Sequence, residues 1–254
     1  MSAAVAASGI AARAPTAARR LQVGGLTPFT SIDYPGQLAA VVFVQGCPWR
    51  CGYCHNPHLQ PRGPGAGPDW NEVLAFLRRR TGLLDAVVFS GGEPTLDPAL
   101  PRAIADVRAL GFKVGLHSAG IYPQRLQAVL PQLDWVGLDI KAPLGDDAGL
   151  AGVTGVRGSA APVRRSLAAL VRHVRASGLL FECRTTAHPA LLNDAALRAV
   201  ADDMAAAGVT HWVLQIARPQ GVTDALPAVG ADYPSPALLQ QLRARVPAMT
   251  LRRG

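Results

Sequence analysis

The chain has 254 residues, of which 49% are apolar and 17% charged, a balance too apolar for a disordered chain and too interrupted by Arg, Pro and Gly for a membrane protein. Four cysteines are too few for a disulfide scaffold at this length, and three of them, Cys47, Cys51 and Cys54, crowd into one short segment, so they read as reduced thiols of a cytoplasmic protein. The formal charge of +8 favours an acidic partner, but no aromatic residues interleave the arginines as a nucleic-acid surface would need.

Taken in chain order, residues 1–20 are Ala-rich, carry Arg and no acid, and read as a disordered N-terminal tail rather than a targeting segment. Residues 21–254 then form one domain. After a short N-terminal strand, six apolar runs predict strands at 38–44, 85–89, 112–116, 135–140, 179–186 and 211–216. Helices are expected at 70–81, 98–110, 122–132, 162–177, 194–207 and 236–246. Asp69 with Glu72 makes a capping box, Asp97 precedes the second helix, and Gly82, Gly111, Gly178 and Gly208 stand where helices should stop.

Strand and helix in alternation imply right-handed crossovers and a parallel sheet. Alternate residues of a strand share a face, so Glu182, Arg184, Thr186 and His188 point one way on the fifth run, and Asp139 and Lys141 do on the fourth. Polar side chains in register suit a wet interior, and Gln45, Ser90, His117, Ser118, Gln215 and Arg218 fall at strand C-terminal ends, where α/β barrels carry their sites. Six units are two short of a closed eightfold barrel. The expected fold is α/β, a partial, open (β/α)6 TIM-like barrel.

Cys47, Cys51 and Cys54 follow the first of these strands at spacings of CxxxCxxC. A cubane iron–sulfur cluster normally takes four thiolates; three leave one iron open for an exogenous ligand. The competing structure is a zinc knuckle completed by His55, His58 or Cys183, but zinc sites usually draw close ligand pairs from two places. Cys183 stands alone in a strand, with the parity of an inert buried thiol.

With Tyr53 before the third cysteine and Ser90-Gly91-Gly92-Glu93 after the second strand, the chain resembles the radical S-adenosylmethionine superfamily from about Gly24 to Arg218. Thr30-Ser-Ile-Asp-Tyr-Pro-Gly36 and Tyr53-Cys54-His55-Asn56-Pro57 are similar to the glycyl-radical activases, the branch that includes activators of anaerobic ribonucleoside-triphosphate reductase. The resemblance implies a [4Fe-4S] cluster on Cys47, Cys51 and Cys54 that reductively cleaves S-adenosylmethionine. It also implies a glycyl-radical enzyme as partner and a flavodoxin- or ferredoxin-type electron donor.

For individual residues the resemblance implies that Gly91 and Gly92 approach the methionyl amino group, with Glu93 bracing their loop. Asp139 and Lys141 would hold the ribose or carboxylate, or else pair only with each other. His188 would meet the ribose or act as a cap, and the backbone near Tyr53, Cys54 and His55 would meet the adenine. Trp49 and Arg50 would shield the cluster. Two rivals remain: a radical enzyme acting on a small molecule or nucleic-acid base, and a non-catalytic zinc-binding interaction module.

Overall fold

The computed structural model of the protein describes residues 20–218 and 226–253; the expected tail lies almost wholly outside the described residues. The six runs form parallel strands β2 (Ala39–Val44), β3 (Ala86–Gly91), β4 (Lys113–Ser118), β5 (Trp135–Asp139), β6 (Leu180–Ala187) and β7 (Trp212–Ile216). The N-terminal strand β1 (Val23–Thr30) pairs antiparallel with β2, and a three-residue strand β8 (Thr250–Arg252) pairs parallel with β7. The sheet order is β1-β2-β3-β4-β5-β6-β7-β8, with β1 and β8 at its two edges, so the barrel is open.

The helices are α1 (Trp70–Arg78), α2 (Leu100–Ala109), α3 (Pro123–Val129), α4 (Asp147–Thr154), α5 (Ala160–Ser177), α6 (Asp194–Ala207) and α7 (Pro236–Arg245). The capping box at Asp69 and Glu72 is formed, and Gly178 and Gly208 end α5 and α6 in the left-handed conformation, at φ of 73° and 74°. Gly82 and Gly111 also have positive φ, in the turns after α1 and α2. Helix α4 has no counterpart in the sequence expectations. Gly149 and Gly152 weaken its intrinsic propensity by about 1 kcal/mol each, and it forms because Asp146 caps it and Leu150, Val153 and Thr154 are buried.

The sheet has two unlike faces. Val42, Phe89, Leu116, Leu138, Cys183 and Leu214 belong to the large core shared with the helices. Ala39, Val41, Ala86, Val88 and Trp135 form a separate small cluster with Tyr34, whose ring stacks on Trp135 at 5.3 Å. The segment after β1 thus folds back and plugs the barrel at the N-terminal ends of the strands. Further up, Arg252 of β8 donates two bonds of 2.9 Å to the buried carboxylate of Glu182, tying the edge strand across to β6.

Candidate active site

A cavity of about 250 Å³ opens at the C-terminal ends of the strands. Cys47, Cys51, Cys54, Tyr53, His55, Gly91, Gly92, Asp139 and Lys141 all line it, as do His117, Arg184 and Gln215. A larger groove of about 640 Å³ lies between α5 and α6, but its walls are aliphatic side chains and arginines with no cysteine or carboxylate. The chemistry therefore belongs to the smaller cavity.

The cysteine loop is held from below. Gly46 donates from its backbone to Leu59 and Cys47 to Gln60, while the Gln45 side chain donates to the carbonyls of His58 and Pro61. The next loop packs directly on it: Gly92 donates to Val44 and Glu93 to Gly46, at 3.0 and 2.9 Å. A Cβ on Gly92 would collide with the Gly46 backbone, and Gly91 has φ +116°. We therefore expect Gly92→Ala to fold but to lose iron uptake, because the displaced Gly46 carries Cys47 with it; full iron content after anaerobic reconstitution would contradict this.

Glu93 is fully buried and braces the loop, accepting from Ser118 Oγ at 2.9 Å, Ala119 N at 2.7 Å, and both the backbone and hydroxyl of Thr95. Burial raises its carboxyl pKa, and the four donors pull it back. Ser118 is thereby committed to Glu93 and to the backbone of Gly120.

On the floor, Asp139 lies between two cations. Lys141 Nζ donates to its Oδ2 at 2.9 Å, and Arg184 contacts its Oδ1 at 3.1 and 3.0 Å. Burial would push the Asp139 carboxyl up, but the Lys141 and Arg184 charges bring it down to about 2. Burial opposes the Lys141 charge too, yet Asp139 holds it well above the ordinary lysine value. The expected ion pair is present and has a third member. Lys141 also sits 5.4 Å from the centre of the Tyr53 ring, which links the floor to the cysteine loop.

His117 is neutral: burial, aided by the Arg184 charge, lowers its pKa to about 3. Its Nε2 contacts the Asp33 carbonyl at 2.8 Å, so that nitrogen carries the proton, and Nδ1 accepts from Ser90 Oγ at 3.3 Å. An unfolded histidine titrates near 6.5, so the unfolded chain binds the extra proton first as pH falls. From this group alone, stability should be full above pH 6.5 and drop by about 1.4 kcal/mol per unit between pH 6.5 and 3. Urea melts of His117→Asn lacking any part of that slope relative to wild type would support the assignment; identical slopes would refute it.

Two expectations change, at His188 and at Arg50. His188 is buried with both ring nitrogens occupied, Nδ1 accepting from Ala190 N at 3.1 Å and Nε2 donating to the Pro227 carbonyl at 2.9 Å. It does not line the cavity; the polar parity of β6 carries only as far as Thr186, because His188 lies past the strand end and caps the turn. Trp49 does cover the loop, being 1% exposed. Arg50 instead lies exposed, donating to the carbonyls of Cys47 and Trp49 at 2.9 Å. Cys183 is buried on the opposite, helix-facing side, where burial pushes its thiol pKa up.

Burial likewise pushes the Cys47 thiol up to about 12 and raises that of Cys51, with Lys141 pulling both the other way. Such thiols exist as thiolates only beside a strong cation. Among the described residues no three His, Cys, Asp or Glu side chains converge on a single ion. Three thiols spread around one cavity, with the buried Tyr53 hydroxyl lacking a hydrogen-bond partner among the described residues, fit a larger metal group and an organic ligand beside it. Among the described residues no helix is long and apolar enough to cross a membrane.

Residues 41–181 match the Radical SAM superfamily. A protein of Methanocaldococcus jannaschii named as a glycyl-radical enzyme activating enzyme is 28% identical over 68% of this chain and 70% of its own. The pyruvate formate-lyase-activating enzyme of Clostridium pasteurianum is 36% identical over 49% of this chain and 53% of its own, so this chain spans about half of that relative. Among solved structures, QueE from Escherichia coli superposes with a TM-score of 0.59 at 17% identity, covering 92% of this chain and 94% of that one. SuiB from Streptococcus suis bound to S-adenosylmethionine gives 0.58 at 15%, covering 83% and 48%. These two likenesses establish the fold alone. With the cysteine triplet, the Gly-Gly-Glu loop and the open barrel in place, the chain belongs to the radical S-adenosylmethionine superfamily, whose cofactors are a [4Fe-4S] cluster and S-adenosylmethionine.

Proposed function

We propose that this chain is a reductive activase that removes a hydrogen atom from a glycine Cα of a partner enzyme, anaerobic ribonucleoside-triphosphate reductase. When bound, the reduced cluster would supply one electron to cleave S-adenosylmethionine, with methionine leaving and the adenosyl fragment taking the glycine hydrogen to leave as 5′-deoxyadenosine. Cys47, Cys51 and Cys54 hold the cluster. Gly91 and Gly92 bring bare backbone to the methionyl end, Lys141 offers its ammonium to the carboxylate, and Asp139 keeps that ammonium charged and aimed. The backbone at Tyr53, Cys54 and His55 borders the adenine.

The open barrel carries the reading. Among the described residues β1 and β8 stand at the two edges of the sheet without pairing to each other, so the cavity at the strand ends is accessible to a polypeptide loop reaching in from outside. A glycine has no side chain, and a glycine-bearing loop can bring its hydrogen to van der Waals distance where bulkier residues are held off. The relatives named for activating glycyl-radical enzymes and pyruvate formate-lyase point to the same substrate class. Electrons would come from a flavodoxin- or ferredoxin-type donor.

Anaerobic mixing with a glycyl-radical ribonucleotide reductase, S-adenosylmethionine and dithionite should give a doublet glycyl-radical signal in the reductase by electron paramagnetic resonance. Normal 5′-deoxyadenosine production without that signal would remove this partner and shift weight to a small-molecule substrate.

A further inference from the structure

The cysteine loop is held from a second side by residues outside the cavity. Helix α4 ends with its last carbonyls facing the loop: Thr154 O accepts from Arg50 N at 2.8 Å, and Val153 O accepts from Gly52 N at 3.2 Å. Helix C-termini leave such carbonyls without partners inside the helix, and here two of them are satisfied by the peptide groups between the cysteines. Trp49, between Cys47 and Cys51, is turned into the core, and its Nε1 donates to Ser159 Oγ at 3.1 Å. Ser159 is itself buried and donates to Val156 O at 3.3 Å. The turn that carries it is pinned by Asp147, which accepts from Gly158 N at 2.8 Å and Ala160 N at 3.0 Å.

We propose that α4 and the turn behind it form a preassembled cradle for the cysteine loop, in which Ser159 is a positioning residue acting through Trp49. All of these bonds join protein to protein, and none of them uses a cysteine sulfur. The loop therefore meets the cluster with its backbone already set, and the ordering cost of binding falls on the fold rather than on the metal. The cradle also has an electrostatic sign. A helix C-terminus carries the equivalent of about half a negative charge, and negative potential beside a cluster opposes its reduction. Loosening the loop from α4 should move the cluster midpoint potential upward.

The test uses the anaerobically reconstituted full chain and no partner protein, so it is independent of the activase reading. Ser159→Ala leaves the Trp49 N–H buried without an acceptor; Trp49→Phe removes the donor and leaves Ser159 its bond to Val156; Ser159→Thr keeps the hydroxyl. Release of iron to a chelator should be faster in Ser159→Ala and in Trp49→Phe, on the order of tenfold in the former, with a raised midpoint potential, and Ser159→Thr should restore both. Wild-type iron release and midpoint potential in both Ser159→Ala and Trp49→Phe, with only the melting temperature lowered, would make the Trp49–Ser159 bond an ordinary core contact and overturn the proposal. If Ser159→Ala fails to fold, Trp49→Phe alone decides by the same two readings.

Discussion

Cys47→Ala, Cys51→Ala and Cys54→Ala should each abolish cluster-dependent cleavage of S-adenosylmethionine while leaving a folded protein. The three thiols are only partly buried and line the cavity rim, so their removal opens no hole in the main core. A cubane held by two thiolates has lost a third of its anchoring ligands. Cys183→Ala should leave cleavage intact, since its sulfur faces the helices. Iron content and methionine formation under dithionite, measured side by side, test this; cluster loss in Cys183→Ala with retention in Cys54→Ala would overturn the ligand assignment.

The second large effect separates Asp139 from Lys141. Asp139→Ala strands two cations whose side chains are only 11% and 15% exposed. Breaking a buried pair from one side typically costs about 3–5 kcal/mol, which for a chain of this size is a fall in Tm of roughly 10 °C. Lys141→Ala is a different experiment, because Asp139 keeps Arg184. Its stability should change little, while S-adenosylmethionine affinity should fall by about 1.5–3 kcal/mol through loss of a charge-assisted contact. The measurements are thermal melting and equilibrium binding of S-adenosylmethionine to the reconstituted protein. If Lys141→Ala melts as early as Asp139→Ala and binds at wild-type affinity, the lysine is a structural partner of Asp139 and nothing more.

That contrast rests on Arg184, whose partner the sequence did not reveal. Strand parity placed Asp139, Lys141 and Arg184 toward the interior, but parity is a rule about one strand. The register β5 to β6 pairs Asp139 with Arg184 directly, and only that register turns two facing polar residues into a triad. The same holds for Glu182, whose partner Arg252 lies 70 residues further along the chain in an edge strand too short to signal itself.

The alternation of strands and helices, the capping box at Asp69 and Glu72, the glycine stops at Gly178 and Gly208, and the cysteine triplet were legible in the sequence. Each is written in neighbouring residues: a period of two or of 3.6, a cap three positions away, or ligands within one loop. Tertiary structure decided the rest. It made a helix of the glycine-bearing α4 by burying Leu150 and Val153, occupied both nitrogens of His188, and set Ser159 against Trp49 across 110 residues of chain. None of these contacts has a local signature, because the free energy that fixes them comes from groups brought together only when the barrel folds.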